Sequence, residues 1–278
     1  MERNSKKRYI IALSGLFAII IAGLYFFQFS PFGYCITIRV RDFAEIDNNV
    51  FVNNSYSHIT VNDNGEYTTK DDIPVIVNEA RNRVSELFGG EILSDPVIIV
   101  SDNPKTYSIT GEAITWSLSL HKVFSYISIS HSNLSIDIVA HELTHAELAY
   151  RILNGKPFRI IDSFIPIWFN EGLASISDNR SIFSKETWNI RTDNGTNTDI
   201  DVTKLTRADF HAGNANGFIA QEYALFARNE VLSWLEMRKW IRALQSLAYS
   251  CSCRPISIFI LLGFSDYCLF FMRLPWRY

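Results

Sequence analysis

The chain has 278 residues, 47% of them hydrophobic, enough for one sizeable core or two smaller ones. Its 26 basic and 29 acidic side chains leave a formal net charge of -3, and beyond the first eight residues Lys and Arg form no block. A nucleic-acid partner is therefore excluded, because the basic footprint that a phosphate backbone demands is missing.

Residues 1–8 carry Arg3, Lys6, Lys7 and Arg8, and the uncharged run YIIALSGLFAIIIAGLYFFQF follows over residues 9–29. At about 1.5 Å per residue, such a helix matches the roughly 30 Å hydrocarbon core of a bilayer. Its length and the lack of a small-x-small cleavage site favour an uncleaved anchor over a signal peptide. The basic flank favours a cytoplasmic tail at residues 1–8. The expectation is a single-pass protein of the inner (plasma) membrane, with the rest of the chain on the periplasmic or extracellular side. Cys35, Cys251, Cys253 and Cys268 lie near the two ends without zinc-ligand spacing, and they leave the redox compartment open.

Residues 30–70 alternate apolar and polar in CITIRVRDF and then turn Asn-rich, which predicts a strand-bearing stalk. DDIPVIVNEARNRVSELFGG predicts a helix, with Asp72 as cap and Pro74 in the first turn. Its apolar face is Ile73, Ile76, Val77, Ala80, Val84, Leu87 and Phe88, and Gly89 and Gly90 stop it. PVIIV at 96–100 and VFSYISIS at 123–130 predict buried strands. Helix, strands and further helices imply an α+β domain over residues 71–245.

The next helix carries the chemistry. In IVAHELTHAELAY, Ser135 can cap, Ile138, Val139, Leu143 and Ala146 make the apolar stripe, and NGKP stops it. His141 and His145 then project from one face about a turn apart, so both imidazoles can reach one zinc ion, and Glu142 can address a water on that metal. A third ligand is needed. PIWFNEGLASISD supplies Glu171 on the following helix, where an unpaired glutamate in so apolar a setting would be costly.

HELTHAEL followed by WFNEGLA resembles the gluzincin zinc metallopeptidases, in particular the peptidase MA-like branch related to thermolysin and the zinc aminopeptidases. The resemblance covers residues 96–240. It implies a zincin, thermolysin-like catalytic domain with a small mixed sheet, Zn2+ held by His141, His145 and Glu171, and Glu142 as catalytic base. GFIAQEYALFARNEVLSWL resembles the branch's tyrosine-bearing helix and implies Tyr223 as oxyanion donor. The alternatives are that Tyr223 packs with Phe218, Ala227 and Val231, or that His211 is the donor. Asn170 and Ser175 are candidates for holding the ligands, with a place on the helix surface as the alternative for Ser175.

The implied reaction is hydrolysis of a peptide or protein substrate. Zinc polarises the carbonyl and activates water, and Glu142 carries the proton to the leaving amine. The strand at 124–130 is the expected edge for an extended substrate. Residues 246–278 depart from the family pattern. They read either as a second membrane-associated segment over 256–274, with Asp266 inside it, or as a frame error replacing the normal end. A second class of function stays open: a zincin-fold binding or scaffold protein at the membrane that holds metal without hydrolysis. Glu142 favours the peptidase, since a chain needing only the metal has no use for a base there.

Overall fold

The computed structural model describes residue 17 and residues 43–47, 49–53, 60–61, 67–68, 71–101, 113–119, 122–154, 159–160, 165–206, 208–210 and 217–250. The strands are β1 (Phe43–Asp47), β2 (Val50–Asn53), β3 (Thr60–Val61), β4 (Tyr67–Thr68), β5 (Val97–Ser101), β6 (Ala113–Ser119), β7 (Val123–Ser130) and β8 (Arg159–Ile160). The helices used below are α1 (Asp72–Leu87), α2 (Ile136–Leu153), α3 (Ile167–Ser177), α4 (Lys185–Thr192) and α5 (Gly217–Ser250). The architecture is α+β, as the element pattern implies.

Three parallel strands, β2, β5 and β7, form the middle of a six-stranded sheet of order β1-β2-β5-β7-β6-β8. β1, β6 and β8 are antiparallel to their inner neighbours. The register aligns Val50, Ile98 and Ile127 in one row and Val52, Val100 and Ile129 in the next. All six are fully buried, and burial of each such side chain contributes about 1.5–3 kcal/mol. The first row continues onto β6 at Thr115 and the second at Ala113. Side chains alternate faces along a strand, so Thr115 must lie on the same side of the sheet as the core row. That alignment brings a hydroxyl to Glu142 of α2.

α1 and α2 share the core cluster with that face. α1 buries Ile73, Val77, Ala80 and Val84 at helical spacing, with Ile76 and Leu87 partly buried beside them and Phe88 buried just past the end. It stops in a Schellman arrangement: Gly90 N donates to Ser85 O at 2.9 Å and Gly89 N to Glu86 O at 3.2 Å, with Gly89 at φ 79° where a side chain would be strained. α2 is capped as expected, Ser135 Oγ accepting from Ile138 N at 3.3 Å.

Several expectations change. Asp72 does not cap α1. It lies within the first turn, where its charge favours the helix dipole, and Asp71 occupies the cap position without a side-chain hydrogen bond. The strand at 124–130 is not an edge. β7 runs between β5 and β6 and is buried on both faces from Ser125 to Ser130, as a central strand must be. β6 lies next beyond β7, and among the described residues its outer neighbour β8 pairs with Leu118 and Ser119 alone. Residues 43–47 and 50–53, expected within a stalk, form strands of the same sheet as β5 and β7, with Val50 and Val52 in the core. α5 runs through residue 245 to Ser250. Among the described residues no helix is long and apolar enough to cross a membrane. The run at 9–29, Phe17 apart, and residues 251–278 lie outside the described part.

Candidate metal centre

His141 and His145 stand one turn apart on α2, their rings edge to face with centroids 4.9 Å apart. Glu171, from α3, places Oε2 3.7 Å from His141 Nε2 and 3.8 Å from His145 Nε2. These separations are too long for hydrogen bonds. One ligand atom from each of the three residues falls within a 4.8 Å span, and the group could hold a metal ion. Ligands about 2.0–2.1 Å from one tetrahedral ion lie about 3.4 Å from each other, so the two distances from Glu171 Oε2 to the imidazole nitrogens need only slight contraction. Two imidazoles and one carboxylate also match the donor chemistry of zinc.

The far sides of both rings are held. His145 Nδ1 lies 2.9 Å from Asn170 Oδ1, an acceptor, so the proton belongs on Nδ1 and the lone pair on Nε2 faces Glu171. His141 Nδ1 lies 3.5 Å from Asp178 Oδ2, an ion-pair distance at the outer limit of a hydrogen bond, and among the described residues that buried nitrogen has no hydrogen-bond partner. Asp178 is fully buried just past the end of α3. Arg180 grips it: Nη2 donates to Oδ2 at 2.6 Å, Nε to Oδ1 at 3.0 Å, and the main-chain N to Oδ1 at 3.1 Å.

In the metal-free chain burial opposes a charge on His141. The nearby Asp178 and Glu171 carboxylates and the Glu142 charge outweigh it and push its pKa up to about 10. Burial likewise works against the Asp178 carboxylate, and His141 and then Arg180 bring it down to about 2. Burial also lowers the pKa of Arg228, with Asp178 opposing the shift.

Glu142 is 8% exposed. Thr115 Oγ1 donates to its Oε2 at 2.5 Å and lies 3.0 Å from its main-chain O. A carboxylate accepts at two oxygens, and among the described residues this hydroxyl is the one donor to it, which leaves capacity for a proton or a water.

The position of Glu171 is set from behind. A Cβ added to Gly172 would lie 2.4 Å from the main-chain O of Ala227 on α5, so α3 and α5 can meet this closely only with glycine there. Ser175 Oγ donates to Glu171 O at 2.8 Å, and Arg228 Nε donates to Ser175 O at 3.1 Å. Phe169 packs edge-on against Trp234 of α5 with centroids 5.4 Å apart.

The structure thus gathers His141, His145, Glu171, Glu142 and Asn170. Ser175 is buried and holds the backbone of Glu171 rather than a ligand side chain. Tyr223, half-buried on α5, packs its ring against Phe210 with centroids 5.5 Å apart. His211 lies outside the described residues. Sequence reasoning missed Asp178 and Thr115. The first carried a signal, since seven residues after Glu171 returns to the same helix face. The second carried only the alternation of AITWSLS. No protein-family model, curated protein or solved structure matches the chain.

Proposed function

We propose that the chain is a zinc-dependent peptidase of gluzincin type, with a zincin-like domain behind an N-terminal membrane anchor. The observation that carries this reading is the convergence of His141, His145 and Glu171 beside a buried carboxylate, Glu142, with spare acceptor capacity. The paired motifs HELTHAEL and WFNEGLA support the same assignment.

Zinc held by the three ligands supplies Lewis acidity, polarising a carbonyl and lowering the pKa of a water toward about 7. The rest is the work of the chain. Asn170 and Asp178 keep both imidazoles presenting Nε2. Thr115 fixes one oxygen of Glu142, and the other accepts the proton of the attacking water and returns it to the leaving amine. β6, which carries Thr115 and among the described residues meets β8 at Leu118 and Ser119 alone, is the strand that would receive an extended peptide. Tyr223 is the assigned oxyanion donor, on the helix that meets α3 at Gly172.

The deciding experiment is metal content and turnover of an unfolded protein mixture for the parent, Glu171→Ala and Glu142→Gln. Loss of zinc and activity together in Glu171→Ala is expected, as is retention of about one zinc per chain without turnover in Glu142→Gln. Full activity in Glu142→Gln would remove the hydrolytic mechanism. A parent that binds zinc and cleaves nothing would favour the metal-holding, non-hydrolytic scaffold.

A further inference from the structure

The turn that delivers Asp178 to His141 is held from outside the site. Arg83, on α1, donates Nη1 to the main-chain O of Ser177 at 3.0 Å and pairs through the same nitrogen with Asp137 Oδ1. That oxygen of Asp137, in the first turn of α2, also accepts from the main-chain N of Asn179 at 3.1 Å. The two main-chain contacts bracket Asp178 on either side. A second set of bonds lies beneath: Ser177 Oγ is 2.8 Å from Thr144 Oγ1, and it lies 3.1 Å from Ala140 O and 2.8 Å from Ala174 O.

We propose that Arg83 and Asp137 form a positioning clamp for the metal centre, fixing the 177–179 turn so that the Asp178 carboxylate stays within reach of His141 Nδ1. The argument rests on where the structure is tight and where it is marginal. Arg180 fixes the orientation of the carboxylate, but only the backbone fixes how far it stands from His141. The end of a helix frays unless its terminal groups find partners. The His141–Asp178 contact, at 3.5 Å, already lies at the limit of a hydrogen bond, so a displacement of a few tenths of an ångström breaks it. Arg83 and Asp137 are each about a quarter exposed, at 27%, and an ion pair so placed contributes little to folding on its own. Its two main-chain contacts are the part that matters to the site. Through them α1, which supplies no ligand, and the start of α2 set the geometry of the first histidine.

This inference rests on the metal reading above, and the test separates the two. Zinc affinity is measured by chelator competition on the full-length chain in detergent, with thermal unfolding recorded on the same samples. Arg83→Met should weaken zinc by about 10-fold and Asp178→Asn by about 10–100-fold, the range of partners that orient metal-bound histidines. The double variant should be no weaker than Asp178→Asn alone, because Arg83 acts through Asp178. Arg83→Lys, which keeps the charge and a donor, should recover part of the loss. Val77→Ala, a cavity in the core face of the same helix, should lower the unfolding temperature without moving zinc affinity.

Parent-like zinc affinity in Arg83→Met would overturn the clamp while leaving the metal centre intact. So would a double variant whose loss is the product of the two single losses, or a Val77→Ala that weakens zinc as much as Arg83→Met. A parent chain that takes up no zinc would end the metal reading and the clamp together.

Discussion

α2 carries two buried glutamates that face different ways, and their surroundings differ in kind. Glu147 is fully buried and saturated: Arg151 Nε donates to Oε1 at 2.7 Å, Ser94 N to Oε2 at 2.8 Å, and Leu93 N reaches both oxygens at 3.0–3.1 Å. Arg151 is fixed in turn by Glu91 O at 3.0 Å and by the face of Phe88. Glu142, five residues earlier, has one hydroxyl on one oxygen. Burial makes both carboxylates costly, but only Glu147 has partners that fully offset the cost. Structure uses a carboxylate by filling its acceptors, and chemistry uses one by leaving an acceptor free.

The comparison can be broken in order of expected effect. Glu147→Ala strands an arginine and two main-chain donors and should cost about 3 kcal/mol or more of folding stability, read from denaturant unfolding, while the folded fraction keeps its zinc. A variant that unfolded normally would mean that Glu147 is no structural anchor. Glu142→Gln should do the reverse. Its unfolding midpoint should stay within about 0.5 kcal/mol of the parent, while turnover falls by roughly 100-fold, about 2.7 kcal/mol in the barrier. Should stability fall as it does in Glu147→Ala, the two glutamates would be alike after all. Thr115→Val sharpens the contrast further: losing the single donor on Glu142 should lower turnover by roughly 5-fold, about 1 kcal/mol, with zinc content unchanged by metal analysis.

A pH dependence of the metal-free chain tests a third kind of buried charge. His141 is raised from 6.5 to about 10 in the fold. Its contribution is therefore complete below pH 6.5 and drains away as pH climbs through about 10. Asp178 is lowered from 3.8 to about 2, so its contribution is complete above pH 3.8 and is lost as pH falls through about 2. Stability of the metal-free chain should decline from pH 6.5 toward pH 10. Zinc uptake must displace the proton on His141 and should tighten over the same range. Thermal unfolding with and without zinc across that range checks both, and a metal-free chain that gained stability toward pH 10 would contradict the His141–Asp178 pairing.

What could be read from the sequence was local. Ser135 as a cap, the stripe from Ile73 to Val84, the Gly89-Gly90 stop and the one-turn spacing of His141 and His145 each depend on residues within a few positions, and the structure has them all. What escaped depends on register across the chain. Thr115 meets Glu142 only because β6 pairs with β7 in the alignment that continues the Val50–Ile98–Ile127 row. The choice of β7 as the edge failed for the same reason, since the neighbours of a strand are not written within it. Glu147 looks like any other helix glutamate until the 93–94 loop, more than fifty residues earlier, is folded against it.

The meeting of α3 and α5 at Gly172 distributes tolerance to sequence drift unevenly. On the α3 side the contact requires the absence of a side chain, so residue 172 has no substitute. On the α5 side it is made chiefly by a main-chain oxygen, which every amino acid at position 227 would present. Ala227 and Val231 are themselves fully buried, and Val231 Cγ2 would lie 2.8 Å from a Cβ at position 172, so the heritable constraint falls hardest on the glycine beside Glu171 and extends to the two α5 positions packed over it.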